Sequence, residues 1–378
     1  MFGIRLSLFK IYGFEVKIDL SWLVLGILIT WSLASSFFPF FTPGLTGSEY
    51  LVMGIVGAIG ILFSIVFHEL SHSLVARRYG LPIKSITLFI FGGVAEMTEE
   101  PANARAEFMM AIAGPVSSIL IAIGFYIIYL FTVKVELSPP IVGVIFYLGF
   151  INSLLALFNL IPGFPLDGGR VLRSGLWAWK KNLRWATDIA SQVGSLFGMV
   201  LIFMGALSFI GGNFVGGLWW LLIGLFLRNA ARMSYQQVIV KEYLEGEPVK
   251  RFMNPEPITI RPSNSVDELV EDYIYKYHFK MFPVLKESSL LGCVGVEQVK
   301  NIPKEEWSAH KVGEILTSCS PDNTIDAESD AVEALSAMNQ RGISRLMVTE
   351  NEKLVGLISL RDMMKFLSLK IDLEKKPE

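Results

Sequence analysis

Cysteine is almost missing from this chain. Its 378 residues hold two, Cys293 and Cys319, both in the C-terminal part, so no disulfide framework holds the N-terminal part together. Histidine is nearly as rare: there are four, and residues 1–240 contain only His68 and His72. Charged residues make up 18% against 52% hydrophobic, and the mean hydropathy of +0.49 is too high for an ordinary soluble enzyme. The net charge of −2 divides into +4 over residues 1–240 and −6 over 241–378. Neither part has the basic excess that a nucleic-acid partner calls for. No cleavable signal peptide is expected, because Met1–Lys17 carries charges and offers no small-residue cleavage site.

What the chain does have is long apolar runs, and the second of them carries the chemistry. Phe63–Ser73 reads FSIVFHELSHS. Residues four apart share one helix face, so His68 and His72 can clamp a single ion, and neutral imidazole suits zinc. Glu69, beside the first imidazole, is placed to take a proton from an attacking water. Ionisable groups in an apolar helix are costly and persist mainly where they bind something or line a wet cavity.

Six runs are long enough to cross a bilayer, near Leu20–Phe38, Tyr50–Ala76, Glu107–Val133, Ile141–Leu160, Thr187–Ile210 and Val215–Leu227. The last is short, and the fifth and sixth together could form one re-entrant pair, which would leave four full spans. Of the 15 basic residues in residues 1–240, 14 fall in alternate connections, with Lys134 alone on the other side. That asymmetry puts both termini and the C-terminal part in the cytoplasm. It also places His68 and His72 near the cytoplasmic end of the second span.

Two further stretches read as parts of the same site. Ile83–Phe91 is rich in β-formers and breaks at Gly92-Gly93 before Val94–Met97, which predicts a hairpin with an edge open to an extended peptide. Phe91, Gly92 and Gly93 are its candidate substrate-binding residues. The alternative is a loop with a simple two-stranded cap. The fourth span ends in Asn159-Leu-Ile-Pro-Gly-Phe-Pro-Leu-Asp-Gly-Gly, where prolines break the helix and the paired glycines permit a sharp turn. Asp167 is the only acidic residue between Glu136 and Asp188, and it fits a third zinc ligand, leaving a fourth position for water. Its bland alternative is a helix cap paired with Arg170. Asn159 could donate to a substrate carbonyl. The metzincin pattern fails at Val75 and Arg78, and Glu96, Glu99, Glu100 and Glu107 are weaker rivals for the third ligand, being in a charged connection.

HELSH, FGGVA at Phe91–Ala95, AGP at Ala113–Pro115 and NLIPGFPLDGG at Asn159–Gly169 together resemble the site-2 protease family of intramembrane zinc metalloproteases over roughly residues 10–230. The resemblance implies one Zn2+ per chain on His68, His72 and Asp167, with Glu69 catalytic and Asn159 orienting the scissile carbonyl. It departs from the family at Ser118, where many members carry Asn.

Residues 249–302 and 312–369 repeat one α+β pattern, as in Met281–Leu285 against Ser344–Val348. They resemble a tandem pair of CBS (cystathionine-β-synthase) domains, which implies adenine-nucleotide binding (ATP, ADP or AMP) and regulation of the attached enzyme. The second copy keeps the signature as Gly356, Ser359 and Asp362, and a carboxylate there can accept from ribose hydroxyls. The first copy has Gly292, Gly295 and Gln298 instead. His278 and His310 have no partners at ligand spacing and read as surface residues.

The expected fold is thus a multi-span α-helical membrane protein of about six transmembrane helices with a short β-hairpin, plus a cytosolic α+β tandem CBS module. Its parts are a protease domain over 1–232, a linker over 233–248, and CBS domains over 249–302 and 312–369. The expected activity is zinc endopeptidase cleavage in or near the transmembrane segment of a membrane-anchored protein substrate, within the bilayer of a plasma or inner membrane. The CBS pair also allows a homodimer. A CBS-regulated transporter or channel with a metal site is the rival, and it would call for inverted repeats, of which the sequence shows none.

Overall fold

The computed structural model describes residues 5–81, 83–89, 92–97 and 101–374. They divide into two compact units, Met1–Val238 and Ile239–Glu378.

The first unit opens with a hairpin, β1 (Arg5–Ile11) and β2 (Phe14–Asp19), turned at Tyr12-Gly13, both at positive φ. Asp19 ends β2 and starts α1 (Leu20–Ser32), its carboxylate accepting from the Ser21 amide at 2.9 Å. After a π-helical segment (Leu33–Phe37) and the short α2 (Phe38–Phe41) comes α3 (Gly47–Arg78), opened by a Thr46/Glu49 capping box and closed by Arg77 and Arg78. Strands β3 (Ile83–Phe89) and β4 (Gly92–Met97) follow. The remaining helices are α4 (Ala104–Lys134), α5 (Pro139–Asn159), α6 (Asp167–Lys180), α7 (Leu183–Ile210) and α8 (Phe214–Leu244).

Six helical stretches are long and apolar enough to cross a membrane: Leu20–Phe41, α3, α4, α5, α7 and α8. α7 and α8 are full helices of 28 and 31 residues rather than one re-entrant pair. They meet through small residues. A Cβ at Gly198 or Gly205 would lie 2.8 Å from the carbonyl oxygen of Gly224 or Gly217, so the two backbones touch without side chains between them.

The expected hairpin is half of a larger sheet. Four strands run in the order β1-β2-β3-β4, with β2 and β3 parallel from Glu15↔Ser85 to Ile18↔Leu88 and the other pairs antiparallel. Phe14, Val16 and Ile18 alternate inward and join Ile86 and Leu88 against Trp22, Val66 and Leu70. One face of the sheet is thereby packed onto α1 and α3. β4 lies at the edge. Phe91 is outside the described residues, whereas Gly92 and Gly93 open β4.

The second unit holds two three-stranded sheets: β5 (Met281–Lys286) with β6 (Ser289–Gly295) and β7 (Thr317–Ser318), and β8 (Thr324–Asp326) with β9 (Arg345–Glu350) and β10 (Lys353–Ser359). The repeats exchange their leading segments. Val249 and Lys250 donate to Ser329 and Ala327, each at 2.9 Å, and Leu244, Val249 and Phe252 sit in the second repeat's core. Val312 and Gly313 donate back to Asn264 and Pro262, and Val312 completes the first repeat's core. Neither core closes without the other repeat's leader, so the pair folds as one body.

Candidate active site

α3 presents His68 and His72 on one face, with ring centroids 4.8 Å apart. Their Nε2 atoms lie 3.2 Å from each other and 3.0 and 3.1 Å from Asp167 Oδ2. Each imidazole is aimed by its other nitrogen. His72 Nδ1 donates to the Met110 carbonyl at 2.7 Å, which leaves Nε2 with its lone pair turned to the centre. His68 Nδ1 meets Ser118 Oγ at 2.9 Å. Both supports come from α4. So does Gly114, where a Cβ would stand 2.2 Å from His72 Nε2 and 2.6 Å from His68 Nε2.

Asp167 reaches the histidines because the chain after α5 folds tightly onto the start of α6. A Cβ at Gly168 would lie 2.4 Å from the carbonyl oxygens of Leu160 and Ile161, and one at Gly169 2.4 Å from Phe164 N. Only glycine admits that approach. The Phe164 amide also donates to Ala190 on α7 at 3.2 Å. Burial would raise the Asp167 carboxyl, but the two imidazoles outweigh it and hold the group below the usual carboxylate range. Among the described residues its side-chain partners are the two histidines, and not Arg170.

The donor set fits zinc. Two imidazoles and a carboxylate at zinc bond lengths of about 2.0–2.1 Å would be spaced about 3.3 Å apart in a tetrahedron. The observed separations of 3.0 to 3.2 Å are close to that. The space a Gly114 Cβ would fill is kept clear beside both Nε2 atoms. These three residues form the one cluster of metal-ligating type among the described residues. The rival Glu107 is committed elsewhere: it is fully buried and paired with Arg173. Glu99 and Glu100 lie outside the described residues, as does the side chain of Glu96.

Glu69 points toward the sheet. A Cβ at Gly93 would meet Glu69 Cγ at 2.4 Å and Oε1 at 2.9 Å, so the carboxylate lies directly against the β4 backbone. Asn159, the last residue of α5, donates through Nδ2 to the Leu155 carbonyl at 3.0 Å, and its amide is thus held on its own helix.

In the second unit, Ser359 Oγ lies 2.5 Å from Asp362 Oδ2 and accepts from the Asp362 amide at 3.2 Å, which caps the helix Leu360–Glu374. Gly356 is required by packing: a Cβ there would fall 2.8 Å from the Asn254 carbonyl oxygen. The first repeat is built otherwise. Gln298 accepts from the Gly295 amide at 3.0 Å and donates to Thr317 Oγ1 at 2.8 Å. Sequence reasoning passed over Arg345, whose guanidinium stacks over Phe279 at 5.2 Å while its Nη1 is buried without a hydrogen bond. Burial lowers its pKa, and Asp362 nearby pulls it back up. Met110 was passed over too, whereas Gly114 entered the sequence reading only inside the AGP motif and Ser118 only as a departure from the family, neither with a contact to the histidines.

Comparison with known proteins bears on both units. The model of peptidase family M50 matches residues 56–141 and 136–201, and the CBS-domain model matches 249–302 and 312–369. The chain is 33% identical to sll0528 of Synechocystis sp., a zinc metalloprotease by assignment, over 95% of this chain and 94% of that protein. It is 30% identical to zinc metalloprotease MJ0392 of Methanocaldococcus jannaschii, over 99% and 98%. Among solved structures, a site-2 protease from Methanocaldococcus jannaschii is 29% identical, covering 61% of this chain and 95% of that one, with a TM-score of 0.43.

Proposed function

The chain belongs to peptidase family M50, the site-2 protease family of zinc metalloproteases, and from that premise we propose that it is an intramembrane endopeptidase governed by its CBS pair. The observation that carries the proposal is the convergence of His68 Nε2, His72 Nε2 and Asp167 Oδ2 to within 3.2 Å of one another beside membrane-length helices. The three residues hold one Zn2+ per chain. Zinc supplies Lewis acidity there, polarising a carbonyl and acidifying water.

The chain's own residues do the rest. Glu69 takes a proton from the attacking water onto its carboxylate and delivers it to the leaving amine. Asn159 turns its amide from the Leu155 carbonyl toward the scissile one, an exchange of one acceptor for another. The peptide itself must be extended, because a helix ties up the carbonyl that has to be attacked. β4 offers what the unwound segment needs, an edge strand that opens at Gly92-Gly93 and whose backbone runs past Glu69 at Gly93. The substrate is a membrane-anchored protein cut in or near its transmembrane segment.

The organisation that goes with this reading is a protease domain over 1–232, a linker over 233–248 and CBS domains over 249–302 and 312–369. In this reading both termini and the CBS pair face the cytoplasm, which the basic residues of alternate connections support. An adenine nucleotide binds through the second repeat, with Asp362 on the ribose. The test of the protease reading is incubation of the purified chain with membrane-anchored candidates in vesicles, with product masses mapped. Cuts within or at the border of a transmembrane segment are expected. Cuts confined to distant soluble loops would contradict it.

A further inference from the structure

Glu107 and Arg173 are a pair of buried charges that the proposed chemistry leaves unused. Glu107 stands in the first turn of α4, fully buried, and Arg173 on α6 is 5% exposed. Arg173 Nε donates to Glu107 Oε1 at 2.6 Å, and Nη2 closes on the same oxygen. The same guanidinium lies over the Phe164 ring, 5.0 Å from its centroid. These contacts join two halves of the site. α4 carries the groups that meet both Nδ1 atoms, the Met110 carbonyl and Ser118 Oγ, and the open face at Gly114. α6 begins with Asp167, and Phe164 lies three residues before it.

We propose that Glu107 and Arg173 are positioning residues, a staple between the helix that aims both histidines and the turn that carries Asp167, setting the distance between the carboxylate and the imidazoles. The inference rests on the zinc reading of that triad. A planar guanidinium suits the task, since it can hold a carboxylate with two donors and lie on an aromatic face at once, which an ammonium cannot do. General stability is a poor explanation for the pair. Desolvating two charges is expensive, and apolar replacements of similar volume often do as well.

The test is zinc affinity of the full chain in detergent, measured by competition with a chromophoric chelator, alongside thermal unfolding of the metal-free protein. The double variant Glu107→Gln/Arg173→Met removes both charges of the pair together, so neither is left without the other and its metal-free melting should stay near wild type. Its zinc affinity should nonetheless fall at least about tenfold, the range typical when a ligand's outer support is removed. Placed in an Asp167→Ala background, the same two changes should weaken the residual binding less than about twofold, because their effect runs through Asp167.

Wild-type zinc affinity in the double variant would overturn the proposal. So would an equal further loss in the Asp167→Ala background. Should the double variant fail to fold, Arg173→Lys keeps the charge but loses the fork and the stack on Phe164. It should then weaken zinc binding with melting unchanged, and unchanged zinc affinity in that variant would likewise overturn the proposal. A wild-type chain that binds no zinc would instead remove the underlying site assignment, and the staple with it.

Discussion

Asp167 closes the triad with one oxygen shared between two imidazoles, at 3.0 and 3.1 Å. Removing it leaves two neutral donors for the ion. Asp167→Ala should therefore drop zinc below one per chain after dialysis and take cleavage to background, read by metal analysis and product formation on the same sample. Retained zinc would move the third ligand elsewhere. Ser118 acts one step further out. Its hydroxyl at 2.9 Å from His68 Nδ1 fixes that ring, and Ser118→Ala should weaken zinc affinity about tenfold, toward the low end of what outer-shell losses cost. Gly114→Ala should be worse than Ser118→Ala, because its methyl would stand 2.2 Å from His72 Nε2 and must displace a ring. The two histidines were legible in the sequence because their relation is local, one turn of one helix. The contribution of α4 was not. Ser118 lies 50 residues from His68 and Met110 acts through its backbone carbonyl, so no spacing rule could bring either to the site.

Among the elements, the spans were the most legible, because a run of apolar residues is a local property and a bilayer sets its length. The sheet was half legible. Ile83–Met97 declared itself by β-formers around paired glycines, but β1 and β2 did not, although Phe14, Val16 and Ile18 alternate as a half-buried strand should. Their partner β3 is some 70 residues away and parallel, a pairing no turn signal announces. The short strand also runs directly into the first span, whose apolar run masks its end. α6 entered the sequence reading only as a basic connection and as the helix that Asp167 could cap, although its first residue is the one that matters. For the sheet the prediction concerns β4. Any side chain at Gly93 collides with Glu69 Cγ, so Gly93→Ala should displace the carboxylate by the order of an ångström and slow cleavage about 100-fold while zinc content stays at one per chain. Loss of zinc in that variant would mean that β4 holds up the triad instead of serving Glu69.

At the scale of the molecule, the CBS pair is one body made of two interlocked repeats, and at the signature position the second carries Asp362 where the first carries Gln298. An adenine nucleotide should bind the full chain with Asp362→Ala weakening it about tenfold or more, because charge-assisted bonds of this kind are worth about 1.5–3 kcal/mol. Gln298→Ala should matter little, since that amide is already engaged with Gly295 and Thr317. Calorimetry with ATP, ADP and AMP checks both. A loss on Gln298→Ala alone would reverse the assignment of the repeats. Any effect of nucleotide on proteolysis must come from unequal affinity for two states of the enzyme, because a ligand indifferent to them shifts nothing.

The account as a whole turns on Glu69 being a proton carrier beside a metal it does not hold. The most direct measurement sets zinc content and cleavage of a membrane-anchored substrate side by side for wild type and Glu69→Gln, prepared identically. The account predicts zinc at one per chain in both and cleavage in wild type alone. Cleavage by Glu69→Gln at the wild-type rate, or its loss only together with the zinc, would contradict it.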